Sequence, residues 1–115
     1  MIARSTLWGS VQLGEAFYHL SEREQNAVVA HEYGHIHHRH AWTRLKWIVT
    51  LRALRRYDDF LAMCEAQEFE ADEYAVDLGH APGLISFLLR QQRHVKSDGY
   101  PTSQQRLEAI YVRRV

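Results

Sequence analysis

The sequence predicts a mostly helical α+β domain, and three observations carry that expectation. Ser21 and Glu24 form a capping-box pattern that opens a long helix. A second helical run, from about Asp59 to Leu78, is closed by Gly79 and Pro82. Thr6 to Leu13 alternates apolar and polar residues, as one half-buried strand does. At 115 residues, 46% of them hydrophobic, the chain has room for one core, so residues 1–115 read as a single domain.

In the strand, Leu7, Val11 and Leu13 point one way and Thr6, Trp8, Ser10 and Gln12 the other, with Gly14 as the stop. The helix opened by Ser21 is expected to run to about His40. Ala27, Val28, His31 and His35 share its apolar face, and Gly34 allows a neighbouring element to come close. Ala41 to Tyr57 reads as a second helix or a bent continuation, with a Trp47, Leu51, Leu54 stripe set apart from Arg52, Arg55 and Arg56. A fourth helix is expected from about Gly83 to His94, then a loop from Ser97 to Pro101. Thr102 caps a last short helix, with Gln105 three residues on.

Fourteen basic and fourteen acidic residues give no net charge, so no nucleic-acid partner is expected. The single cysteine, Cys64, excludes an internal disulfide and suits a reducing compartment; it reads as a small buried residue. There is no secretory leader pattern and no run of roughly 18 apolar residues, so a cytoplasmic chain without a transmembrane segment is expected. The basic, aromatic stretch from Trp42 to Arg56 reads as a helix packed on its own domain, with contact to a membrane surface or to nucleic acid as the alternatives.

Five of the eight histidines lie between His31 and His40. Within them, His31-Glu32-Tyr33-Gly34-His35 reads H-E-x-x-H. Histidines four apart stack on one helix face and can hold one Zn²⁺, while the glutamate between them reaches a water on that metal. A hydrolytic zinc site needs a third protein ligand. The extended motif H-E-x-x-H-x-x-G-x-x-H is ruled out, because His38 and Ala41 stand where it has glycine and histidine. His38 lies two turns from His31, too far for one ion on a straight helix. It shares the ligand face and reads as a rim or substrate-contact residue, and His37 and His40 read as a solvated helix end.

In the second run, Glu68 shares a face with Leu61, Cys64, Asp72 and Ala75, whereas Glu70, Glu73 and Asp77 cluster opposite. A carboxylate on a stripe of small apolar residues needs a partner, so Glu68 is the expected third ligand and Glu70 and Glu73 are expected in solvent. Asp72, one turn on, is placed to accept a hydrogen bond from the far nitrogen of a ligating histidine.

The two strings together, H-E-x-x-H and then Glu68-x-x-x-Asp72, resemble the HtpX and CAAX-prenyl-protease family of zinc metallopeptidases, a branch of the gluzincins. Glu22 to His40, including a histidine at the place of His40, is similar to that family's active-site helix. Asp72 to Arg90 is similar to the stretch after the glutamate. Tyr100-Pro101 with Arg106 resembles a C-terminal His-Pro and arginine pattern, with Tyr100 where the family has histidine. Thr6 to Leu13 resembles its strand along the cleft, which pairs with extended substrate.

The resemblance implies a minimal zincin-like domain, its active-site and glutamate helices packed beside a small β-sheet, with one Zn²⁺ per chain on His31, His35 and Glu68. It implies Glu32 as general base, and Tyr100 and Arg106 as oxyanion stabilisers, in peptide-bond hydrolysis of a protein or peptide substrate. The family's transmembrane helices are absent. The small sheet calls for a further strand from Ile2 to Ser5, or for self-association through an edge strand or the C-terminal segment. Two other readings share the motif: a regulatory metalloprotease that cleaves one partner such as a repressor, and a non-catalytic zinc-stabilised binding module.

Overall fold

The computed structural model describes residues 2–91 and 98–114. Strands β1 (Ala3–Ser5) and β2 (Val11–Leu13) are followed by a 3₁₀ turn, Glu15–His19. Six α-helices come next among the described residues: α1 (Glu22–His37), α2 (His40–Val49), α3 (Arg52–Arg55), α4 (Tyr57–Asp77), α5 (Ala81–Gln91) and α6 (Ser103–Arg114). The result is a mostly helical chain with a small two-stranded antiparallel sheet.

Helix α1 starts where the capping box places it. The Glu24 amide donates to Ser21 Oγ at 3.2 Å, and the Ser21 amide donates to Glu24 Oε1 at 3.1 Å. Glu24 is fully buried, and Arg90 of α5 forks onto it through Nε and Nη2, each at 3.0 Å. That hydrogen bonding holds the Glu24 carboxyl down to about 2, against 4.5 in a free chain. Its contribution to stability is therefore present above pH 4.5 and is lost as pH falls towards 2. Glu24→Gln is expected to lose about 1–2 kcal/mol at pH 7, a modest figure because the Arg90 end is solvent-screened. The loss should shrink at pH 3. Urea unfolding at both pH values checks this, and an equal loss at each would contradict the ion-pair role.

Two glycines set helix spacing. A methyl group on Gly34 would lie 2.9 Å from Ala71 Cα, so α1 and α4 cross with their backbones nearly touching. One on Gly83 would run into the Arg23 carbonyl, which brings α5 against the start of α1. Around these crossings Ala27, Ala30, Ala75, Ala81, Leu84 and Leu88 form the core, and Ile110 of α6 closes it. The Thr102–Gln105 cap forms as expected, and Arg113 ties α6 to Asp77 and Glu73 of α4. The C-terminal helix is thus a wall of its own domain.

Three expectations are corrected. Thr6 to Leu13 is not one strand: Ala3 pairs with Leu13 and Ser5 with Val11 in a hairpin, and residues 6–10 are its turn. Gly9, at φ 81°, takes the left-handed conformation, Thr6 and Ser10 close the loop through backbone and hydroxyls, and Trp8 is left exposed. The expected extra strand from Ile2 to Ser5 is β1.

Helix α1 ends at His37, not His40. Arg39 is left-handed at φ 55°, which ends one helix and starts another in a new direction. Leu51, at φ 62°, breaks the next helix in the same way. The Trp47 stripe therefore stops: Leu51 and Leu54 are exposed, while Trp47 stays half-buried between Phe60 and the Arg52 guanidinium. The expected end of the fourth helix at His94, and Ser97 of the loop, lie outside the described residues. No helix among the described residues is long and apolar enough to cross a membrane.

Candidate metal centre

The α1–α4 crossing turns two polar faces towards each other. His31 and His35 on α1 and Glu68 on α4 are each 7% exposed, and Asp72 is 2% exposed. The Nε2 atoms of His31 and His35 are 3.2 Å apart. Glu68 faces both: Oε1 is 3.3 Å from His31 Nε2, and Oε2 is 3.1 Å from His35 Nε2. Helical spacing explains the convergence, since His31 and His35 are one turn apart and Glu68 and Asp72 are one turn apart on the facing helix.

The outward nitrogens are engaged as well. His31 Nδ1 donates to Asp72 Oδ1 at 2.7 Å, which leaves Nε2 as the nitrogen that a proton or a metal ion can take. Asp72 is held by Arg106 of α6, with Nε on Oδ2 at 2.8 Å and Nη2 on Oδ1 at 2.7 Å. His35 Nδ1 lies 2.8 Å from His40 Nδ1. From α2, Arg44 donates to Gln67 Oε1 at 2.6 Å and to Glu68 Oε2 at 3.2 Å.

These contacts shift the titrating groups. Burial disfavours a charged His31, yet the Asp72 charge and hydrogen bonds from Asp72 and Glu68 outweigh it and lift the ring to about 9. Burial also opposes a charged Glu68, but hydrogen bonds from the two imidazoles pull it below the ordinary carboxylate range. Burial would likewise raise Asp72, and the Arg106 charge overrides it and lowers its pKa. The pocket therefore calls for positive charge between its imidazoles and Glu68, which a proton or a divalent cation can supply. Zinc bonds of about 2.0–2.1 Å in a tetrahedron set ligand atoms about 3.3 Å apart, close to the separations among these three side chains. Two imidazoles and one carboxylate are also a zinc-type donor set.

No protein-family model, curated protein or solved structure matches this chain.

His31, His35, Glu68 and Asp72 come together as the motif spacing requires. Glu32 is half-buried, and an oxygen of its carboxyl lies within 4.8 Å of a nitrogen of each histidine. Burial raises its pKa, and the neighbouring imidazoles and the Ser5 backbone of β1 only partly oppose that rise. Glu32 lines a cleft of about 480 Å³ with His31, Glu68, Tyr100, Arg106 and the apolar Phe87. Tyr100 sits on the wall of that cleft, and Arg106 is the residue that forks onto Asp72. Cys64 is buried one turn before Glu68, and burial pushes its thiol up.

Two expectations fail at this site. His40 is not a solvated helix end; it is 4% exposed and touches His35. The left-handed Arg39 folds it back against α1. Glu70 is also less solvated than expected, standing beside His38 and His40. Sequence reasoning missed Arg44 altogether. It lies four residues after His40 on α2, so a helical repeat starting at His40 is the signal that places it on the same side.

Proposed function

We propose that this chain is a zinc-dependent endopeptidase of the HtpX and CAAX-prenyl-protease type, a minimal zincin-like domain acting on extended polypeptide segments. The observation that carries this reading is the approach of His31 Nε2, His35 Nε2 and the Glu68 carboxylate to within 3.1–3.3 Å of one another, beside a cleft that Glu32 also lines.

His31, His35 and Glu68 would hold the ion. Bound zinc supplies Lewis acidity, bringing the pKa of a water down towards about 7 and polarising a scissile carbonyl. Glu32 takes a proton from the attacking water on its carboxylate and passes it to the leaving amine. Its burial suits this role, because a raised pKa lets one group accept and then release a proton. Asp72 fixes the ring of His31, and His40 braces the ring of His35. Tyr100 and Arg106 are the groups proposed to face the developing oxyanion; with Nε and Nη2 on Asp72, Arg106 would use Nη1. Phe87, Leu84 and Val28 give the cleft apolar walls that limit water.

Chelation tests the reading. Cleavage of an unfolded, casein-type protein is expected to stop when zinc is stripped and to return when stoichiometric zinc is restored. A chain that never cleaves, and in which zinc only raises the melting temperature, would instead be the binding module.

A further inference from the structure

A second group of metal-type side chains lies on the flank of the proposed centre. His38 caps α1, His40 opens α2 and Glu70 stands on α4. Each offers one ligand atom, and the three atoms lie within 4.8 Å of one another. The left-handed Arg39 makes this possible, since it turns the chain so that the two imidazoles lie nearly parallel, at 13° and 5.3 Å between centroids. Glu70 Oε2 is 3.6 Å from His38 Nδ1 and 3.5 Å from His40 Nε2.

His40 Nε2 points to a ligand. His40 is 4% exposed, and Nε2 is the buried side-chain atom without a hydrogen-bond partner among the described residues. Such an atom is unfavourable to bury unless something satisfies it. The gaps to Glu70 are long for hydrogen bonds and close to the edge of a tetrahedron of zinc ligands, about 3.3 Å.

We propose that His38, His40 and Glu70 form a second, weaker site for a divalent transition ion such as Zn²⁺, and that its filling opposes metal binding at His31, His35 and Glu68. Weakness follows from exposure, because the side chains of His38 and Glu70 are 37% and 46% exposed. Opposition follows from one shared contact. The Nδ1 atoms of His35 and His40 are 2.8 Å apart, and only one hydrogen fits between them. When His35 offers Nε2 to the first ion, it carries that hydrogen on Nδ1, and His40 accepts it. A neutral His40 then carries its own hydrogen on Nε2, the atom the second ion needs. Both sites fill only if that contact opens or a proton leaves. The second site stands by itself, while its opposition to the first rests on the metal centre proposed above.

Equilibrium dialysis of the full chain against rising free Zn²⁺, with metal analysis, tests this. Wild type should take up a first equivalent and, at higher zinc, a second. Glu70→Gln and His38→Gln, both changes at part-exposed side chains, should each keep the first and lose the second. The double variant His31→Gln, Glu68→Gln should keep the flank site and bind zinc there at least several-fold more tightly than wild type binds its second equivalent. Co²⁺ absorption spectra, read on the same proteins, should follow the same pattern. The proposal is overturned if Glu70→Gln and His38→Gln bind as much zinc as wild type, if wild type stops at one equivalent, or if disabling the first cluster leaves flank affinity unchanged. Failure of the double variant to lose the first equivalent would instead count against the centre at His31, His35 and Glu68.

Discussion

Glu32→Gln is expected to reduce cleavage of an unfolded protein by about 10²–10⁴-fold while the chain keeps its fold and its zinc. The amide has nearly the shape and volume of the carboxylate, so the packing around it is kept. What it lacks is the ability to take a proton. His31, His35 and Glu68 are untouched, so zinc content should stay at one equivalent. Turnover and metal content measured on the same preparation check the claim. A folded, zinc-loaded variant with less than a tenfold loss of activity would remove Glu32 from the mechanism.

Asp72→Asn should produce the largest combined loss of stability and metal affinity. Asp72 is 2% exposed and carries both the His31 Nδ1 hydrogen bond and the Arg106 fork. Neutralising it leaves a largely buried guanidinium without its countercharge, a loss of about 3 kcal/mol. It also removes the carboxylate that fixes the His31 tautomer, which lowers zinc affinity about 10–100-fold. Denaturant unfolding of the metal-free chain reads the first effect, and competition with a chelating dye reads the second. Adding Arg106→Met should recover part of the stability and none of the affinity. If stability and affinity both stay at wild-type values, Asp72 neither anchors α6 nor orients His31.

The centre was more legible in the sequence than the path of the chain around it. Glu68 and Asp72 could be chosen over Glu70 and Glu73 because a carboxylate on a stripe of small apolar residues is too unfavourable to leave unpaired, and helical periodicity identifies that stripe. The cap at Ser21 and the close approach at Gly34 were legible for similarly local reasons. The hairpin was not, because its turn residues continue the alternation of the strands and Gly9 alone marks the reversal. Neither were the breaks at Arg39 and Leu51. Both are non-glycine residues at positive φ, a conformation that residue type does not announce. Because the Arg39 break was hidden, so were its consequences, the burial of His40 and the reach of Arg44 to Glu68.

X-ray absorption at the zinc edge, on the chain loaded with one equivalent, addresses the metal centre most directly. Two imidazole nitrogens and light oxygen ligands near about 2.0 Å, with one imidazole lost in His31→Gln and in His35→Gln, are the expected result. A sulfur shell near about 2.3 Å, or a spectrum unchanged by both substitutions, would contradict it.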